Sequence, residues 1–508
     1  MRGRRRRLGA RPDHRRLTRS HALVGILVAA LLVTGTAAGC SGGPGSGPQE
    51  PNPYSSALPP PAGPHGAPGT GALGLKWSWF QPDTFGYVRR LPGGWTFTEV
   101  EWCSVEPVPG ARDWAELDRI VAQARDLGQA TMIKLRTGQC WGTTPDQGGG
   151  MDLSEASRKT PSTPPTDLGA YLSFVSDLVT RYAAMGVHAY AIENEIDVQN
   201  FWAAPVATYD ALARAVAPVV HQADPHADVL DAGLSSTAYG VALANAQLDA
   251  GDEEGALATY QLHYGRRMAG GVSRWPTVFD ATGLREVLAT EPARRSIDAA
   301  ELAGRLVRDR VVDAYQLHFY EGTEALRQVL VHLDEQLGDT GRVEAWEIGT
   351  AWPGADFDER AHAEELFRDA ALLLGHGVRL MVYLPLAWTD DGGPQVFRGL
   401  MNADGTLLPA GRGWLALADE LPHLADAKVI TLGDPGDPLG KAGLVGVVWS
   451  GAGHSAALVW AVGPPVQLPA SGVDRVLDAT GAELDPDLPV GDQPVLVVGS
   501  AVHRLTSG

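Results

Sequence analysis

The chain has 508 residues, of which 44% are hydrophobic and 20% charged, a globular composition that excludes disorder throughout and leaves room for more than one domain. The net charge is −19, and because the first 40 residues carry nine Arg against one Asp, the remainder is more acidic still. Such a body lacks the clustered cations that phosphate neutralisation needs, which argues against nucleic acid as a partner, and three cysteines are too few for a disulfide-built scaffold.

Residues 1–40 read as an export signal. Arg2 to Arg19 is basic, and Ala22 to Val33 is an apolar run too short for a membrane span but suited to the h-region of a signal peptide. The run ends in Thr36-Ala37-Ala38-Gly39-Cys40, which resembles the lipobox of bacterial lipoproteins. That resemblance implies lipidation at Cys40, an extracytoplasmic location, and contact with the membrane through the lipid alone. Arg15-Arg16 is compatible with twin-arginine export. Ser41 to Thr70 holds seven Gly and nine Pro in thirty residues, too little apolar surface to offset its ordering entropy, so residues 41–72 are expected to be an extended spacer.

From Leu73 onward, eight short apolar runs rich in Val, Ile, Tyr, Phe and Trp are expected to be strands. They are Leu75–Phe80, Thr96–Trp102, Ala130–Arg136, Ala189–Glu195, Val229–Leu234, Ala314–Tyr320, Val343–Ile348 and Leu380–Leu384. Helical periodicity separates most of them, clearest over Asp167–Ala184 and Asp358–Leu374. Eight alternations over residues 73–426 predict an α/β fold, a (β/α)8 TIM barrel, with a doubly wound open sheet as the alternative. Two insertions stand out, Thr143–Thr166 after the third strand and Ser235–Asp309 after the fifth. Residues 427–508 change character, with short strands and Gly, Pro and Asp turns, and read as a small antiparallel β-sandwich.

Chemistry in such a barrel sits at the C-terminal ends of the strands. The fourth strand ends in Glu193-Asn194-Glu195, the sixth in His318-Phe319-Tyr320, the seventh in Glu347-Ile348-Gly349, and the eighth leads to Trp388. Acids on strands four and seven face each other across a barrel mouth. A retaining glycosidase needs that arrangement: one carboxyl protonated to donate to the leaving oxygen, the other ionised to attack the anomeric carbon, with about 5–5.5 Å between them. Asn194 is suited to a sugar hydroxyl, Tyr320 to donating to Glu347, and Trp388 to lying under a sugar ring. Strict alternation would send Asn194 and Glu195 to opposite faces, so the strand must bend there; Glu193 is the rival acid.

These motifs resemble the clan A retaining glycoside hydrolases, in particular families 39 and 5. The stretch Gly399-Leu400-Met401-Asn402-Ala403-Asp404-Gly405-Thr406 is similar to their loop into the last helix. The resemblance spans roughly residues 73–421 and implies Glu195 as acid/base and Glu347 as nucleophile. One departure is Ile196-Asp197 after the acid/base, where many members have Pro.

His318 reads more readily as a packed, hydrogen-bonded histidine than as a proton donor, but stands with Asn194, Tyr320 and Trp388 as a candidate sugar contact. Trp77, Trp79, Trp102 and Trp141 lie near the first three strand exits, equally suited to cleft lining and to barrel packing, and Trp141 joins the candidate contacts. Arg136 either meets substrate or pairs with Glu101 inside the barrel. Cys103 and Cys140 fall just past neighbouring strands and are expected to form a disulfide. No metal or nucleotide motif stands out, so no metal and no cofactor is implied. The expected function is hydrolysis of O-glycosidic bonds in an oligo- or polysaccharide by a monomer. The rivals are a non-catalytic glycan-binding barrel and a two-lobed solute-binding lipoprotein.

Overall fold

The computed structural model describes residues 71–144, 161–387 and 396–507, less 79–80, 92, 339–340, 355, 403, 422–427, 434–442, 452–453, 469–470 and 501. The export signal, Cys40, the spacer up to residue 70, Trp79 and Trp388 lie outside these residues, as does most of the 143–166 loop; the spacer's expected last two residues instead join the barrel, with Ala72 buried.

Eight parallel strands form the barrel: β1 (Leu73–Leu75), β2 (Trp95–Glu101), β3 (Ala130–Arg136), β4 (Ala189–Ile192), β5 (Asp228–Leu230), β6 (Tyr315–Phe319), β7 (Val343–Ile348) and β8 (Met381–Tyr383). Their order is 5-4-3-2-1-8-7-6, and a parallel bridge between Leu230 and Ala314 joins the two ends of the sheet. The (β/α)8 barrel is therefore present, and strands three and seven keep the limits that their apolar runs predict. Strands four and five are shorter than predicted, because the chain leaves the sheet as soon as polar residues reach the mouth.

Alternation along each strand divides two cores. On β3, Ile133 and Leu135 face outward into the main core, while Met132 joins Phe97, Ala191, Leu230, Trp346 and Val382 in a plug inside the barrel. Amphipathic helices cover the outside. Helix α1 (Ala115–Asp126) follows β2, α2 (Leu168–Ala183) follows β3 and α3 (Val206–Ala223) follows β4. Asp167 starts α2 by accepting the Ala170 N–H at 2.9 Å, and Gly186, at φ +87°, turns the chain beyond its end.

The insertion after β5 carries four helices, α4 (Ser236–Asp249), α5 (Glu253–Ala269), α6 (Ala281–Leu288) and α7 (Glu291–Arg308), with irregular chain between α5 and α6. It carries its own apolar cluster, including Tyr260, Tyr264, Trp275 and Leu284. Helices α8 (Thr323–Leu337), α9 (Glu359–Gly375) and α10 (Pro409–Glu420) complete the barrel.

Among the described residues the C-terminal unit is one antiparallel sheet of six strands: β9 (Lys428–Leu432), β10 (Gly443–Gly451), β11 (His454–Val462), β12 (Arg475–Asp478), β13 (Glu483–Leu484) and β14 (Val495–Val498). Both of its faces are apolar. Val447, Trp449, Leu458 and Trp460 join the barrel's core, while Val448, Ala457, Val459 and Val497 pack with Leu468, Val490 and Val502. One face thus rests on the barrel and the other on the unit's own loops and terminal turn, so neither needs the second facing sheet of a sandwich.

Candidate active site

The barrel mouth is polar because inward positions change from Met, Phe and Ala to charged residues near the strand ends. Beyond Met132, β3 turns Lys134 and Arg136 inward, and β2 aligns Glu99 and Glu101 beside them. On β6 the inward residues are Gln316 and His318, and Tyr320 continues the same side just past its end. A bulge on β7, where His318 pairs with Glu347 but Gln316 with Glu344, lets Trp346 fill the plug while Glu347 still faces the mouth.

The strand-four exit bends as the sequence requires. Glu193 (φ +68°) and Glu195 (φ +40°) both adopt left-handed backbone, each at a cost of about 1–3 kcal/mol for a non-glycine residue. That distortion brings Asn194 and Glu195 into the same mouth. Its partners hold it: the Glu193 N–H donates to the Leu135 carbonyl at 2.9 Å and the Glu195 N–H to the Ala232 carbonyl at 3.0 Å.

Glu347 lies at the centre of a converging set. Lys134 Nζ donates to its Oε1 at 2.6 Å, and Tyr320 OH donates to its Oε2 at 2.7 Å. Lys134 also donates to Asn194 Oδ1 at 2.7 Å and sits 4.4 Å above the Phe97 ring. Burial alone would raise the Glu347 carboxyl, but the charges of His318 and Lys134 and the Lys134 and Tyr320 hydrogen bonds outweigh it and bring it down to about 2. Burial, reinforced by the negative charge of Glu347, holds the Tyr320 phenol well above its ordinary value, so it remains a donor.

Glu195 meets different neighbours. His318 Nδ1 lies 3.1 Å from its Oε1. The Gln316 amide donates to the Asp231 carbonyl at 2.7 Å, which leaves Gln316 Oε1 to accept from His318 Nε2 at 3.0 Å. This network assigns a proton to Nε2 and turns Nδ1 toward Glu195, where it accepts from the acid or donates to the carboxylate. Burial raises the Glu195 carboxyl, the charges of Glu347 and Asp197 push it the same way, and His318 opposes them without prevailing. The two acids are thus shifted apart, Glu195 up and Glu347 down.

One ligand-capable oxygen on each acid and a ring nitrogen of His318 all lie within 4.8 Å of one another. A divalent cation could use the same spacing, but the Lys134 ammonium, 2.6 Å from Glu347 Oε1 and 3.3 Å from His318 Nε2, already occupies the cation's place. Two glycines make room for the set. At Gly233, φ +65°, a Cβ would fall 2.6 Å from His318 Nε2, and at Gly349 it would fall 2.2 Å from the Leu384 carbonyl and 2.8 Å from the Tyr320 ring.

The remaining candidates stand apart from the pair. Glu193 is fully buried, accepts the Thr137 N–H at 2.6 Å and lies 3.8 Å from Arg136 Nε; burial raises it to about 7. Arg136 is enclosed with Glu99 at 3.3 Å and Glu101 at 3.0 Å, so its guanidinium is committed to the barrel wall rather than to a substrate. Trp77 and Trp102 are buried packing residues, whereas Trp141 is partly exposed at the rim, its ring edge against Trp102 and its Nε1 bonded to the Glu106 carbonyl at 2.8 Å. The Cys103–Cys140 disulfide, with a Cα–Cα distance of 5.4 Å, ties the loops after β2 and β3 together beside Trp141. Lys134 and Gln316 were not among the sequence candidates. The available signal for Lys134 was a cation two residues before Arg136 inside an otherwise apolar buried strand.

No family model and no curated protein matches the chain. Solved structures do. A family 39 glycoside hydrolase from Bacteroides cellulosilyticus WH2 is 16% identical, covers 84% of this chain and 80% of its own, and has a TM-score of 0.53. A family 39 β-xylosidase from Caulobacter crescentus is 15% identical, with 86% and 97% covered and a TM-score of 0.53. A family 39 enzyme from Xanthomonas axonopodis pv. citri is 14% identical, with 85% and 95% covered and a TM-score of 0.51. At these identities the likeness is one of fold.

Proposed function

We propose that this chain is a retaining glycoside hydrolase. The observation that carries the proposal is the pair Glu195 and Glu347: opposed carboxyls on strands four and seven, with oxygens within 4.8 Å and acidities displaced in opposite directions. A spacing this short leaves no room for a water between nucleophile and anomeric carbon, which is the retaining geometry. Glu347, ionised and held by Lys134 and Tyr320, attacks the anomeric carbon while Glu195 gives its proton to the departing oxygen. Glu195, now a carboxylate, takes a proton from water, whose oxygen displaces Glu347 and releases the sugar with its original anomeric configuration. The family 39 fold neighbours support the substrate class, a carbohydrate.

Of the rivals, the two-lobed solute-binding protein is incompatible with a barrel joined through Leu230 and Ala314, and a non-catalytic binder gives no reason for two acids tuned apart. A panel of aryl glycosides and cell-envelope polysaccharides, with product anomers followed by NMR, tests the assignment. Retained anomers are expected, and Glu347→Gln should abolish turnover while leaving the circular dichroism unchanged. Hydrolysis by that variant at the wild-type rate would remove the assigned nucleophile.

We further propose that the enzyme works outside the cytoplasm on a lipid tether at Cys40, on the strength of the basic, apolar and small-residue order of residues 2–40 and the Gly/Pro-rich stretch that follows. Cys40→Ala should move the protein from the membrane to the soluble fraction and end metabolic labelling with palmitate.

A further inference from the structure

Three separate points of the helical insertion converge on the two residues that follow Glu195. At its start, Ser235 donates its N–H to Asp197 Oδ1 at 2.8 Å and its hydroxyl to Asp197 Oδ2 at 2.5 Å. In its middle, the Arg274 guanidinium lies 3.4 Å from Asp197 Oδ2 and donates to Ser296 Oγ at 3.1 Å. In its last helix, Arg295 donates to the Ile196 carbonyl at 2.6 Å, to the Ala204 carbonyl at 2.9 Å and to the Trp202 carbonyl. The Asp197 side chain is fully buried, and none of these groups touches Glu347. What they hold is a backbone already forced into left-handed geometry at Glu195, a conformation that persists only where the surroundings over-determine it.

We infer that the insertion Ser235–Asp309 is a positioning device for the general acid, acting through Asp197 and Arg295 on the loop that carries Glu195. The inference rests on the glycosidase assignment and deepens it: Asp197 and Arg295 are positioning residues, not groups that meet the substrate. A general acid contributes only where the departing oxygen needs a proton, so a misplaced Glu195 penalises poor leaving groups and spares good ones. A defect of folding or of sugar binding penalises both alike. Asp197 adds a second effect, because its negative charge lies close enough to favour the protonated form of Glu195, alongside Glu347 and against His318.

The test compares phenyl glycosides, which need protonation to depart, with 2,4-dinitrophenyl glycosides of the same sugar, which do not. Asp197→Asn keeps the side-chain shape and its oxygen acceptor but loses the charge that meets Arg274. It should lower kcat/KM on the phenyl glycoside about tenfold or more, a fraction of the 10²–10⁴ a general acid supplies, and leave the dinitrophenyl glycoside within about twofold. Ser235→Ala removes the hydroxyl's bonds to Asp197 and Thr237 but keeps its N–H bond to Asp197 and the pairing with Arg274, so it should show the same leaving-group bias at a smaller size even if Asp197→Asn fails to fold. Equal losses on the two leaving groups, or no loss on either, would overturn the inference while an active wild type keeps the glycosidase assignment. A wild type inactive on every glycoside in the panel would overturn both.

Discussion

Lys134 offers the sharpest test of how the nucleophile is kept ionised. Lys134→Met preserves an unbranched stem against Phe97 and deletes the ammonium 2.6 Å from Glu347 Oε1. Both partners are buried, the lysine completely and the glutamate side chain to within 9%, so solvent screens the pair little. Losing one partner of such a pair costs about 3–5 kcal/mol. Removing the ammonium takes away one of the causes that hold Glu347 low, so its carboxyl rises from its value of about 2, with His318 still opposing the rise. Activity requires the ionised form, so it falls as pH drops through this pKa, and raising the pKa moves the acid limb of the profile upward. A profile of kcat/KM against pH should show the acid limb displaced upward in Lys134→Met, with Lys134→Arg recovering part of the displacement. An acid limb that stays in place while the variant remains folded would refute the role of Lys134, and with it the explanation of the depressed nucleophile.

Tyr320→Phe removes the 2.7 Å hydrogen bond to Glu347 Oε2; a bond to a charged acceptor is worth about 1.5–3 kcal/mol, so kcat/KM should fall about 10- to 150-fold in steady-state assays. Arg136→Met strips the cation from Glu99, Glu101 and Glu193, and urea denaturation should show a loss of about 3–5 kcal/mol. Replacing Cys103 and Cys140 with Ala opens a link between residues 37 apart, and the same denaturation should report a loss of about 3–4 kcal/mol from the freed loop.

The barrel was legible because parallel strands buried on both faces read as apolar runs, and helix caps such as Asp167 and breaks such as Gly186 mark the joints between them. Glu195, Glu347 and Tyr320 were legible for a different reason: strand exits are where a barrel places chemistry, and these residues occupy the exits of strands four, six and seven. Asn194 and Glu195 share the mouth only because of two left-handed residues, and no periodicity signals that; their dipeptide alone predicts opposite faces. The β7 bulge hides in the same way, since Trp346 and Glu347 both turn inward only after the register slips. Lys134 was overlooked because a lysine in a strand ordinarily marks an edge or a solvated face, and only the closed barrel converts that position into the neighbour of an acid. Arg136 shows the converse. Its place at a strand end fitted a substrate contact, but three surrounding carboxylates, contributed by β2 and by the exit of β4, commit it to the wall.

The two acids carry the same side chain, so the difference between them has to come from what surrounds each. Glu347 stands over the barrel interior, where a lysine from β3 and a tyrosine from β6 each donate to a different oxygen and so favour the charged form twice. Glu195 stands on the bent exit of β4, where no lysine or arginine is paired with it among the described residues, and the nearby charges of Glu347 and Asp197 favour its neutral form. His318 meets Glu195 through Nδ1, while its Nε2 lies between Gln316 Oε1 and the Lys134 ammonium, so the ring bridges the surroundings of the two acids. In the proposed mechanism these surroundings make Glu195 the acid and Glu347 the nucleophile, with His318 and Lys134, the one buried lysine among the described residues, together holding Glu347 ionised.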